Sequence, residues 1–370
     1  MIKIKSRLAS VNLLATGLFS LSARLWFCLM LVLSNLMLAP NTVGQSISVE
    51  ARSTSMSQEF SNQEVSSQDM SDTVSSGQIA TRYSHKDIIA KIDHHLAHQL
   101  SHSWLDIDAH KVLLCSALTL TECFAQSPAL SQSALFSSAS VKRQLGLKHA
   151  MVLHLGQSDL LGVIIYNLQA PQLSAIGVVD LIPYHIPLEQ QTKLSIIHEL
   201  GHLQNILLQD TLFSERLSRY QHEWLADMYL FWHMARDQAG RDLIWQQLHR
   251  RNLAMMSDSS RISHWSAPQL QYLLQTYSPQ ILQSFTGYAS FATDALAQIP
   301  NWNDDELAEF TSLVQRTFGN DVIQILPRYM FWRQEQLIHT LTPTLVKLMG
   351  KHKTQLWLSR QFVMAENLSL

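Results

Sequence analysis

The sequence predicts an α+β protein, with a small antiparallel sheet packed on a polar-lined helix and a mostly α-helical C-terminal part after it. Three observations predict this. Short, β-branched runs separated by Gly, Ser, Asn and Pro lie between residues 150 and 181, as strands do. Beyond Pro187, apolar residues recur at helical spacing. Glycine is sparse, 12 in 370 residues, which suits helices because their interiors disfavour it by roughly 1 kcal/mol.

At the N-terminus, Lys3, Lys5 and Arg7 precede a weakly apolar stretch, and Arg24 introduces a strong apolar run over residues 25–38. A basic start, an apolar run of this length and the small residues that follow have the pattern of an export signal. Residues 1–44 are read as a signal peptide or a retained membrane anchor. Either places the chain in the periplasm or on the membrane facing it. Residues 45–82, rich in Ser, Gln, Asp and Thr, cannot bury enough apolar surface to offset their ordering entropy and read as a disordered linker.

From residue 83 to 146 the pattern is helical, with Ile88, Ile89, Ile92, Leu96 and Leu100 at helical spacing and a second apolar stretch at 112–120. His94, His98 and His102 then fall on one helical face, as a metal- or pH-responsive cluster or as a polar face opposite Ile88, Ile92 and Trp104. Cys115 and Cys123 would lie about 12 Å apart on a continuous helix, too far for a disulfide. They bridge only if the chain turns between them, and are otherwise buried thiols. Strands are expected at 150–155, 160–166 and 173–181, closed by Pro183 and Pro187. Helices follow at about 188–208, 214–236, 241–256, 266–276, 303–317 and 329–349. Residues 83–238 are assigned to a catalytic domain and 239–370 to a helical C-terminal region.

Lys and Arg total 27 against 29 Asp and Glu, with no long basic run, so nucleic acid is not an expected partner. The chemistry concentrates at His198-Glu199-Leu200-Gly201-His202. On a helix, positions i and i+4 project from one face, so both imidazoles can hold one Zn²⁺. Glu199, about 100° round from the first histidine, reaches a water on the metal rather than the metal itself. Twenty-one residues after His202 comes Glu223, a carboxylate able to complete three protein ligands and leave a fourth position open. Asp227, one turn on, is spaced to accept a hydrogen bond from a ligand imidazole. Gly201 costs helix stability, which points to close approach by another element.

HELGH followed by E-x-x-A-D, at His198, Glu199, His202, Glu223, Ala226 and Asp227, resembles the gluzincin metallopeptidases, particularly the HtpX and CAAX-prenyl endopeptidase type. The HELGH core also resembles the ImmA/IrrE regulatory peptidases. The resemblance spans residues 198–227; Met228 stands where HtpX-like enzymes often have Arg, and their multiple membrane spans are missing. It implies a zincin-like fold, zinc on His198, His202 and Glu223, Glu199 as the base, and a protein or peptide substrate. It also implies an edge strand beside the substrate, expected here at 173–181. Tyr229, His222, His233, His249 and His264 are candidates for an extra transition-state donor. The alternative is a non-catalytic, zinc-stabilised binding or regulatory protein on the same scaffold, which has little reason to retain Glu199.

Overall fold

Two of the expected β-branched runs pair directly. In the computed structural model, which describes residues 85–132, 136–155, 160–171, 174–213, 215–319 and 330–362, they form β3 (Ala150–His154) and β4 (Leu160–Tyr166). The expected signal or anchor and the linker lie outside the described residues. Two further strands, β1 (His102–Ile107) and β2 (His110–Ser116), occupy a region read as helical. The physical reason is burial on both sides. Val112, Leu113, Leu114 and Cys115 are all buried, and a strand covered on both faces loses the alternation that betrays it.

The sheet runs β1-β2-β4-β3. It is mixed rather than purely antiparallel, because β2 and β4 are parallel while both outer pairs are antiparallel. Parallel neighbours need a long crossover, and the chain from 117 to 149 supplies it. That crossover holds three short helices, α2 (Leu120–Phe124), α3 (Pro128–Ser131) and α4 (Ser138–Leu145). They cover one face through Leu120, Phe124, Leu130 and Val141, against Leu113, Val163 and Ile165. A disulfide joins Cys115 at the end of β2 to Cys123 in α2, with Cα atoms 5.7 Å apart. The chain does turn between them.

The opposite face carries α1 (His85–Ala97) and α5 (Gln191–Leu212), packed through Ile92, Ile197, Leu200 and Leu203 onto Val112, Leu114 and Ile164. Because α1 ends at Ala97 and His102 opens β1, His94, His98 and His102 do not share a helical face. His94 and His98 stack, with ring centroids 4.2 Å apart. It is the neighbouring His95 that is buried, held by Ser103 and, at 2.8 Å, by the Tyr166 hydroxyl. Burial, with His102 and His94 nearby, pushes its pKa down to about 4.

Within the strand expected at 173–181, the described residues 174–181 do not join the main sheet. They contribute β5 (Ala175–Val179), which among the described residues pairs only with β6 (Ile182–Ile186) in a separate hairpin. Its inner face lies on α7 (Gln238–Ser257), so closely that a Cβ on Gly177 would fall 2.3 Å from Leu253.

Between α5 and α7 runs α6 (Arg219–Met234), started by a Ser218–Gln221 capping box and buried continuously from Trp224 to Met234. A 3₁₀ turn (Ser259–His264) follows α7, then α8 (Ala267–Thr276), α9 (Pro279–Ser284) and α10 (Tyr288–Leu296). The described part closes with α11 (Asp304–Phe318), α12 (Phe331–Met349) and α13 (Lys351–Gln361). One hydrophobic core runs from the sheet through α6 into these helices. Among the described residues, no helix is long and apolar enough to cross a membrane.

Candidate metal centre

The centre is built where α5 crosses α6. A Cβ on Gly201 would stand 2.7 Å from the Ala226 Cα and 2.8 Å from its carbonyl oxygen. Only two small residues allow this approach, and it brings a carboxylate of α6 over the imidazoles of α5. The buried stripe Leu194, Ile197, Leu200 and Leu203 fixes the rotation of α5 against the sheet. His198, Glu199 and His202 are left half-buried on the side facing α6 and solvent.

Three ligand-type side chains converge. His198 Nε2 lies 3.5 Å from one Glu223 oxygen, and His202 Nε2 lies 4.0 Å from the other. One ligand atom from each of the three residues falls within 4.8 Å of the others. Ligands placed tetrahedrally at about 2.0–2.1 Å from one ion are about 3.3–3.4 Å apart. His198, His202 and Glu223 could hold one divalent ion after small rotamer adjustments, and two imidazoles with a carboxylate are a donor set that zinc accepts.

Asp227 lies where its spacing predicts. Its Oδ1 accepts from His198 Nδ1 at 2.7 Å, which turns Nε2 toward Glu223. Asp227 is itself fully buried and surrounded by donors: Arg251 Nε at 2.7 Å, Gln247 Nε2 at 3.2 Å and the Ser266 hydroxyl. Nothing in the sequence marked Arg251, Gln247 or Ser266; they come from α7 and the start of α8, and their only signal is a charged pair, Arg250-Arg251, inside a helical pattern.

The five candidate donors separate clearly. Tyr229 and His233 pack on one another in the core, and His249 bonds Thr344 on α12. His222 precedes Glu223 and is half-buried. His264, at the end of the 3₁₀ turn, touches the ligand set directly: its Nδ1 donates to Glu223 at 2.9 Å. Arg219 Nη2 lies 3.3 Å from its Nε2. A guanidinium can only donate, so Nε2 is the acceptor and Nδ1 carries the hydrogen. Both ring nitrogens are engaged, which makes His264 a positioning residue for Glu223.

Charge is unevenly distributed over these groups. Burial alone would depress His198, but Asp227, by charge and hydrogen bond, and Glu223 hold its pKa up at about 9. His202 goes the other way, to about 3, because it is buried and faces the charged His198. Burial raises Glu199. Against the same burial, hydrogen bonds from His198 and His264 hold Glu223 below the usual carboxylate range. Asp227, too, is held well below the usual carboxylate range against its burial, by the charges and hydrogen bonds of Arg251 and His198.

The chain matches no protein-family model, no curated protein and no solved structure.

Proposed function

We propose that the chain is a zinc metallopeptidase of the gluzincin type, acting on peptide bonds in the cell envelope. One observation carries the reading: two imidazoles a helical turn apart and a carboxylate from a crossing helix converge to within 4.8 Å, with Glu199 beside them. The Gly201–Ala226 contact supports it further, since it accounts for two more positions of the resembled motif. The α5 helix lying on a mixed sheet, next to an edge strand, is compatible with a zincin-like fold.

His198, His202 and Glu223 would hold the zinc. When bound, zinc supplies Lewis acidity, which acidifies water and polarises a peptide carbonyl. Asp227 keeps the hydrogen on His198 Nδ1 and so leaves Nε2 available as a ligand. Glu199 is made more basic by burial, so it takes the proton of an attacking water and returns it to the departing amine. His264 and Arg219 keep Glu223 aimed at the imidazoles. The strand expected to receive the substrate, 173–181, lies in the hairpin on α7. We assign that role to β3, which borders the sheet on the α5 side and pairs only with β4 among the described residues. An extended peptide can add to its open side through main-chain hydrogen bonds.

The placement in the envelope rests on the basic and apolar pattern of residues 1–44. The Cys115–Cys123 bridge supports it, since disulfides persist in oxidising compartments.

The test is cleavage of a mixture of unstructured peptides by the full chain and by Glu199→Gln. The variant is expected to keep its zinc and to lose about 10²–10⁴ in rate. A wild type that holds zinc and cleaves nothing would instead support a non-catalytic, zinc-stabilised binding protein.

A further inference from the structure

The β5–β6 hairpin turns apolar side chains toward water. Gly177 and Val179 face the core on α7, whereas Ile176, Val178 and Pro183 on the outer face are exposed, as is Ile182 beside the turn. At the tip, Leu181 is 83% exposed, the highest value among the exposed large hydrophobic side chains. Its backbone adds a second anomaly. Asp180 and Leu181 both have positive φ, 50° and 63°, as a two-residue turn of primed geometry requires. Asn and Gly fill such positions without strain, and leucine does not. A side chain that is both disfavoured in its backbone conformation and exposed to water contributes nothing to folding, which points to a role outside the fold.

The surroundings indicate which partner would cover it. Asp180 accepts from Trp357 Nε1 and from Arg360 Nη2, each at 2.9 Å, so the tip is clamped to α13. Lys353, Leu356 and Arg360 follow at i, i+3 and i+7, all exposed, and extend the apolar tip into a cationic helix face. From Thr340 to Gln361 the chain carries Lys347, Lys351, Lys353 and Arg360 and no Asp or Glu. Arg360 neutralises Asp180. The three lysines are exposed and have no carboxylate partner among the described residues.

An apolar wedge clamped to a cationic segment free of carboxylates is complementary to one kind of surface: acyl chains beneath anionic headgroups. We propose that the β5–β6 tip and the exposed face of α13 dock on an anionic lipid bilayer, with Leu181, Val178 and Ile182 entering the headgroup–acyl boundary. This docking is independent of the metal-centre reading, because none of its residues belongs to that centre.

Hydrogen exchange of the full chain with and without vesicles reads the contact locally, whatever the N-terminal segment does. Vesicles of phosphatidylcholine with phosphatidylglycerol are expected to protect amides at 180–182 and in α13. Lys353, on the face of Leu356, contributes about fivefold near an anionic surface, so pure phosphatidylcholine should bind at least about fivefold more weakly. Leu181→Asn relieves the backbone conformation, so its thermal midpoint should not fall, while the lipid-dependent protection of the hairpin should vanish. Lys353→Gln should remove about fivefold of the preference for anionic lipid. Three results would overturn the proposal: no lipid-dependent protection of the hairpin, unchanged protection in Leu181→Asn, or protection that grows with protein concentration without lipid. The last would identify a contact between copies of the chain.

Discussion

Gly201 and Ala226 touch backbone to backbone: a Cβ on the glycine would stand 2.7 Å from the alanine Cα. This contact sets the distance between α5 and α6, and therefore the distance from Glu223 to the imidazoles. Gly201→Ala should gain up to about 1 kcal/mol of helix propensity and lose more to overpacking, about 1–3 kcal/mol. Its thermal midpoint should fall and its zinc affinity should fall with it. Calorimetry and a zinc titration measure both. A more stable variant with unchanged affinity would mean that the crossing does not position Glu223.

The buried Asp227 forms ion pairs with His198 and Arg251. Asp227→Asn leaves the guanidinium without its carboxylate and removes the charge that orients the imidazole. Breaking a buried pair from one side costs about 3–5 kcal/mol, and losing the group that orients a ligand costs about 10–100-fold in metal affinity. Denaturant melts and competition with a zinc chelator separate the two effects. His264→Ala, which removes a donor to Glu223 near the surface, should reduce zinc affinity in the same range with a smaller effect on stability.

The metal-free chain should show a stability maximum near pH 6.5. His198 has its pKa raised to about 9 in the folded state, so its contribution is fully present below pH 6.5 and is lost as pH rises through 9. His202 has its pKa lowered to about 3, so its contribution is present above pH 6.5 and is lost as pH falls toward 3. The depressed carboxyls of Glu223 and Asp227 act in the same direction on the acid side. Thermal melts in chelator from pH 4 to 10 test this, and a midpoint that climbs steadily to pH 10 would contradict the assignment of a charged His198.

Reduction should weaken the sheet layer. The Cys115–Cys123 bridge closes a short loop between β2 and α2, and the loop-entropy relation gives about 2–3 kcal/mol for a ring of this size. Paired Cys→Ser substitutions should lower the chemical stability by that amount while leaving zinc binding intact, since neither sulfur lies near α5 or α6. Equal stability with and without the bridge would make the pairing incidental.

The helical half and the centre were legible because local rules and tertiary packing agree there. Helical periodicity puts His198 and His202 on one face of α5 and Glu223 and Asp227 on one face of α6, and Gly201 announced a close contact that Ala226 supplies. The region from 102 to 116 was not legible. Val112 to Cys115 are buried on both sides of the sheet, so their continuous apolar run imitates a helix, and the predicted His94–His98–His102 face disappears with it. β6 was hidden by Pro183, which sits on the exposed side of a two-stranded hairpin where its missing N–H does no harm. Arg251 and Ser266 reach Asp227 only through the packing of α7 and α8 on α6, which no local pattern encodes.

The central claim is that His198, His202 and Glu223 hold one zinc ion, and elemental analysis of the purified full chain tests it most directly. The wild type and Glu199→Gln should each carry about one zinc per chain, and Glu223→Gln should carry far less. A wild type free of metal after purification and reconstitution, or a Glu223→Gln variant that binds zinc as well as the wild type, would contradict it.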